Sequence, residues 1–265
     1  MKKRYVNNFL FLTLCVCATR VSADQINGVI SITSLITPLI HSSVQLEYHN
    51  TVILVDPWGR AGLDLAKPAD IILITDDVGH HLDPAAIEMF KKPSTQVFVT
   101  AKGQEKWPSG IVLKNGDSIS VSEVGIEAIA AYDIIPGEPS HPKGEANGYV
   151  VELGGRRLFF AGVTECVEEV QRLENIHVAF LPMNIPLGRM MPEATAECAR
   201  RLSAEVIYPY HYDQTYARRA YDREYEGFSL PGGRTVDETL VELEQNLVGS
   251  GIEIRIGNFY PPLDD

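Results

Sequence analysis

The chain of 265 residues is 45% hydrophobic and carries 35 acidic against 23 basic side chains, a formal net charge of −12. So acidic a surface argues against nucleic acid or an anionic membrane as partner. The length and apolar content suit one α/β domain with an ample core.

Lys2, Lys3 and Arg4 make a positive start, the apolar stretch Phe9 to Ala18 follows, and Val21-Ser22-Ala23 offers small residues for cleavage. This order reads as a secretory signal peptide over residues 1–23. The mature protein is then expected to begin at Asp24 and to form a single domain over 24–265, periplasmic or extracellular. The apolar core is too short to span a membrane, so no stable anchor is expected. Cys15 and Cys17 follow Leu14 and Val16, where a lipoprotein needs a small residue. The mature cysteines are Cys166 and Cys198. An oxidising compartment would let them pair, and two cysteines without a motif also read as buried thiols.

Strands are expected at Ile30 to Leu35, Val44 to Tyr48 and Val52 to Val55, with His49-Asn50 turning the hairpin between the last two. Ile71 to Thr75 is fully apolar until its end and reads as a central strand. Asp83 caps a helix with Pro84 in its first position, running towards Lys91. Further strands are read at Gln96 to Thr100, Ser118 to Val121 and Ile126 to Ala131, before a polar loop from Pro136 to Asn147. A hairpin follows, Tyr149 to Leu153 and Arg157 to Phe160, turned by Gly154-Gly155. Ile176 to Pro182 and Val206 to Tyr210 are strands. Pro192 to Leu202 and Thr235 to Leu247 carry helical periodicity, and Ile252 to Ile256 is a last strand. Strands alternating with helices favour a layered α/β domain.

The chemistry gathers where strands end. The run Ile71 to Ile74 breaks into Asp76-Asp77-Val78-Gly79-His80-His81, and Asp56, His141, Gly162-Val163 and His211 follow other strands. Loops at strand ends on one sheet edge make a site. The loop at 76–81, with His41-Ser42-Ser43-Val44, Asp56-Pro57-Trp58, His141-Pro142-Lys143-Gly144, Asn147-Gly148-Tyr149-Val150 and Tyr208-Pro209-Tyr210-His211-Tyr212, resembles the metallo-β-lactamase superfamily. The likeness is greatest to its small metal-dependent hydrolase branch, the ascorbate-phosphate-lactonase-like proteins. It spans nearly the whole mature chain. It implies a four-layer αβ/βα sandwich with a metal site at one edge.

The resemblance also implies which residues stand at ligand positions, and here the motif is degenerate. First-metal positions hold Asp76, Val78 and His141; second-metal positions hold His80, His81 and His211; the bridging position holds Val163. Valine has no lone pair. The first pocket keeps Asp76 and His141, fewer than the three protein ligands a tight zinc usually takes. His80, His81 and His211 offer three imidazoles with an open fourth position, an arrangement used by catalytic zinc. The expectation is therefore at most one zinc ion, or none.

Two functions follow. One is an exported hydrolase that attacks an ester, lactone, amide or phosphodiester of a small molecule, with Asp76 or Asp77 accepting the proton. Lys143 and the tyrosines near His211 would then face a developing oxyanion. The alternative is a non-catalytic ligand-binding protein on the same scaffold. Glu165 offers itself as a substitute bridge or as a helix-start acid. His49 and His177 read as structural, and His41 as a supporting or structural residue. Asp213 to Gly233 interleaves Tyr216, Tyr221, Tyr225 and Phe228 with Arg218, Arg219 and Arg223. It reads as a packed helix and loop, or as a lid selecting an anionic or aromatic ligand.

Overall fold

The computed structural model describes residues 31–135 and 141–263, and the segment read as a signal peptide lies outside the described residues. Two sheets run side by side in chain order. The first contains β1 (Ile36–Pro38), β2 (Val44–Tyr48), β3 (Thr51–Val55), β4 (Ala69–Leu73), β5 (Lys91–Val99) and β6 (Ile111–Val112). The second contains β7 (Ser118–Val121), β8 (Val124–Ala131), β9 (Ala146–Leu153), β10 (Arg156–Phe160), β11 (Ile176–Pro182), β12 (Val206–Tyr210) and β13 (Glu253–Ile254). Each sheet opens antiparallel and turns parallel, from β3 onward in the first and from β10 onward in the second.

The alternation of side chains along each strand builds the layers. Ile53, Val55, Ile71 and Leu73 face inward and meet Val151, Phe160, Phe180 and Tyr208 from the other sheet. Their neighbours Leu54, Ile72 and Ile74 face outward, onto Ile87 and Phe90 of α1 (Pro84–Phe90). In the second sheet Phe159, Ala179 and Ile207 face outward onto α4 (Pro192–Leu202) and α6 (Val236–Leu247). Helix, sheet, sheet and helix are the four layers of the αβ/βα sandwich. Both faces of β4 and β11 are buried, which is why those strands are apolar at almost every position. The short helices α2 (Gly103–Lys106), α3 (Glu168–Gln171) and α5 (Gln214–Arg219) fill connections.

Local chemistry explains the boundaries. Asp83 caps α1 by accepting from the Ala85 and Ala86 N–H groups, and Thr235 with Glu238 closes a capping box on α6. The strand expected from Ile30 is a 3-10 turn over Ile32–Leu35 instead, and pairing begins at Ile36. Ser31 and Ser34 cause this: the Ser34 hydroxyl and N–H both donate to the Ser31 carbonyl, an alternative to a ladder. The last strand shrinks to Glu253–Ile254 at the sheet edge. Cys166 and Cys198 form a disulfide with Cα atoms 5.6 Å apart, tying the segment after β10 to α4. Closing a loop of this length stabilises the fold by about 3–4 kcal/mol.

Candidate metal centre

The ends of β3, β4, β10 and β12 lie at one edge, and five of the seven histidines meet there: His41, His80, His81, His141 and His211. Three of the residues that build this edge adopt a left-handed backbone without being glycine: His41 at φ 56°, Asp56 at φ 45° and His211 at φ 53°. Such conformations cost of order 1–3 kcal/mol and cluster where a site dictates side-chain direction.

Asp56 is the anchor. Its carboxylate is fully buried and accepts from Thr75 N at 2.8 Å, Thr75 Oγ1 at 2.6 Å and His81 Nδ1 at 2.7 Å. These bonds fix the His81 proton on Nδ1. The other ring nitrogen, Nε2, carries the lone pair in the neutral ring, and it is buried without a hydrogen-bond partner. A carboxylate behind an imidazole that points a bare nitrogen inward is the outer-shell arrangement of metal-binding histidines.

His80 and His211 line the cavity, with their Nε2 atoms 3.2 Å apart. Two ligands of a tetrahedral zinc, each about 2.0–2.1 Å from the ion, stand roughly 3.3–3.4 Å apart. The two nitrogens are thus spaced as a pair of ligands to one ion would be. By nitrogen positions alone the tightest group is His41, His80 and His211, within 4.8 Å of one another. The Nε2 of His41 is likewise buried and unpartnered, while its Nδ1 lies 3.4 Å from Tyr260 Oη. Gln214 Nε2 donates to His211 O at 2.8 Å and faces His211 Nδ1 at 3.1 Å. With Nδ1 accepting, the proton of His211 sits on Nε2 and points at His80. An ion taking that nitrogen requires the Gln214 amide to turn its oxygen towards Nδ1.

Burial, reinforced by repulsion between neighbouring imidazoles, holds His41, His80 and His211 well below their ordinary pKa of 6.5. Neutral imidazole is the ligating form. A lowered folded-state pKa means stability that is present above pH 6.5 and lost as pH falls below it. His141 has the opposite sign: burial opposes its charge, but Asp76 and Asp133 outweigh that and raise its pKa. Its contribution is full below pH 6.5 and fades as pH rises through the raised value. Three groups against one predict acid lability, up to about 1.4 kcal/mol per group for each pH unit. Thermal melts of chelator-treated protein should fall steeply between pH 7 and pH 5. A flat profile would show these imidazoles to be solvated.

The remaining family positions have closed upon themselves. His141 Nε2 lies 3.1 Å from Asp76 Oδ2, an ionic contact off hydrogen-bond alignment, since that oxygen has no hydrogen-bond partner. His141 is held from behind by Asp133, whose carboxylate accepts from the His141 N–H and also pairs with the buried Arg189. Val78 and Val163 line the same cavity, of about 390 Å³. At the positions where the resemblance implies a first metal, Asp76 and His141 face one another, and Val78 offers no donor.

Other expected participants lie elsewhere. Asp77 is tied to Lys106 Nζ at 2.6 Å. Lys143 pairs with Glu169 over the Tyr132 ring. Glu165 accepts from the Ile134 and Ile135 N–H groups and so braces a loop. His49 faces Glu123, and His177 accepts from Arg157 N. Tyr210 Oη accepts from Gly162 N at 2.7 Å, positioning the Val163 loop. The sequence reading placed Asp56 among the strand-end residues without giving it a role towards His81, and it did not single out Tyr260 or Arg189.

A strand-edge cluster of histidines on a four-layer αβ/βα sandwich defines a metallohydrolase-type protein. Residues 35–211 match the family model described as a beta-lactamase superfamily domain. The chain belongs to that superfamily, in its branch of small metal-dependent hydrolases. It is 37% identical to a crystal structure from Parabacteroides distasonis ATCC 8503, named as a metal-dependent hydrolase, at a TM-score of 0.70, covering 84% of this chain and 91% of that one. It is similar to the UPF0173 metal-dependent hydrolase of Methanoculleus marisnigri, 27% identical over 232 residues, 84% of this chain and 96% of the relative. It is also similar to a UPF0173 metal-dependent hydrolase of Thermus thermophilus, 26% identical over 214 residues, 74% of this chain and 95% of the relative.

Proposed function

We propose that the protein is an exported hydrolase that holds one zinc ion through His80, His81 and His211, with His41 backing His211. It cleaves an ester, lactone, amide or phosphodiester bond in a small molecule, and the cavity residue Arg218 favours an anionic one. The observation that carries this reading is the set of buried nitrogens without partners beside the His80–His211 pair. When bound, zinc supplies a Lewis acid and a water made nucleophilic near neutral pH. Asp76, held ionised against burial chiefly by its contact with His141, is the proton acceptor. Asp77, occupied by Lys106, takes no part. The disulfide agrees with an oxidising compartment.

The alternative of a binding protein without turnover rests on the lost ligands at positions 78 and 163. It is not favoured, because a site that had abandoned its metal would not need unpartnered nitrogens kept buried at the cost of desolvation. Native mass spectrometry of exported, zinc-loaded protein tests the proposal in one measurement. The mass should begin at Asp24 and include one ion. His211→Ala should release the ion, and Val163→Ala should retain it. Two tightly held ions, or none, would refute the ligand set.

A further inference from the structure

The two valines that replace ligands do more than remove a metal. Val78 and Val163 form an apolar wall facing the imidazoles, and Pro186, Ala217 and Tyr221 extend it around the same cavity. Val163 is only 2% exposed, so its methyls are fixed in place by the loop that Tyr210 holds. Tyr221 reaches over the metal loop: a Cβ built on Gly79 would come within 3.2 Å of its Oη. Its ring is held by Trp58 at 5.5 Å and by the Arg60 guanidinium at 4.4 Å. This is a preformed apolar surface shaped by packing.

A guanidinium borders this cavity. Arg218, on α5, lines it, and no carboxylate among the described residues pairs with its guanidinium. Its neighbour Arg219 is spent on the carbonyls of Tyr225 and Glu226, at 2.9 and 2.8 Å. Of Arg218, Arg219 and Arg223, it is Arg218 that lines the cavity. A guanidinium is suited to grip a carboxylate or phosphate with two parallel bonds.

We infer that the lost half of the metal site has become a specificity pocket: the substrate is an anion whose oxygens bind Arg218 and whose adjoining apolar or aryl group packs on Val78, Val163 and Tyr221. The word substrate rests on the hydrolase reading; the binding preference does not need turnover to be measured. The test is calorimetric titration of phenylphosphonate and methylphosphonate into zinc-loaded and chelator-treated protein. Phenylphosphonate should bind at least about tenfold more tightly in both, since a matched apolar group is worth that much in a fitted pocket. Arg218→Gln should weaken both probes by about tenfold or more. Val163→Asn should erase the phenyl preference while leaving methylphosphonate unaffected. Val78→Ser, at a more exposed position that tolerates change, should reduce the preference even if the Val163 variant fails to fold. Equal affinity for the two probes, or an Arg218→Gln protein that binds as before, would overturn the inference. Zinc retained without the phenyl preference defeats this inference alone. The preference kept in a chain that retains no zinc upholds it and defeats the metal reading.

Discussion

Asp56→Ala should be among the most damaging single substitutions in the chain, costing about 3–5 kcal/mol. The carboxylate is 0% exposed and serves three donors: the Thr75 N–H, the Thr75 hydroxyl and His81 Nδ1. Alanine would leave all of them buried and unpaired. It would also occupy a left-handed backbone at φ 45°, which aspartate tolerates better than alanine. Asp56→Asn separates stability from chemistry. Its oxygen stays with the fixed Thr75 N–H, so its NH2 replaces Oδ2 and faces His81. His81 must then accept at Nδ1 and carry its proton on Nε2, the nitrogen proposed above as a ligand. The fold should survive with a loss of about 1–2 kcal/mol, while zinc affinity should drop about 10–100-fold. Denaturant melts and zinc titration against a competing chelator measure the two effects. Zinc bound by Asp56→Asn as tightly as by the unaltered chain would remove His81 from the ligand set and put His41 in its place.

The parts of this site that a linear reading finds are those written in consecutive residues. The run Ile71 to Ile74, the break into Asp76-Asp77 and the Asp83-Pro84 cap specify a strand, a loop and a helix start, and each stands within a residue or two of its expected place. His80-His81 and His211 were marked by the same logic of polar residues following strands. What the chain order conceals is pairing across distance. Asp56 looks like a strand terminator until parallel pairing of β3 with β4 places it against Thr75 and His81. His41 enters the cluster because its carbonyl accepts from the His211 N–H, a contact between the first and last thirds of the fold. Tyr260, 219 residues after His41, arrives from the C-terminal tail and accepts from Tyr212 N and Asp213 N.

The resemblance to the family supplied positions and could not supply what substituted side chains do there. Asp76 and His141 stand where two ligands belong, yet they face one another, and the Asp133–Arg189 pair behind them continues the alternation of charge. Asp76 and Asp133 raise the pKa of His141 against its burial, so a proton on this ring would sit beside Asp76. The described charges alternate from Asp76 through His141 and Asp133 to Arg189.

Reversing those changes should rebuild a two-metal centre. The substitutions are Val78→His, His80→Asp and Val163→Asp, made together. An imidazole at position 78 would join Asp76 and His141 around the first ion, and a carboxylate at position 163 would bridge to the second, held by His81, His211 and the new acid at position 80. Paired ions about 3.5–4 Å apart need such a shared ligand. The bridging change is the demanding one, because Val163 is 2% exposed and a lone buried carboxylate there is costly. Val163→Asp alone should therefore destabilise the chain, by about 3 kcal/mol or more. Added to the other two changes and loaded with metal, the same substitution should cost far less, since the ions neutralise it. Elemental analysis should rise from one ion per chain to two, with a melting temperature that depends on metal. The Asp76–His141 contact would have to open in the process, so the rise in the pKa of His141 should vanish, which NMR titration of its ring protons would detect. A folded triple variant that holds no second ion would mean that the loops at 78 and 163 no longer converge as the family pattern requires.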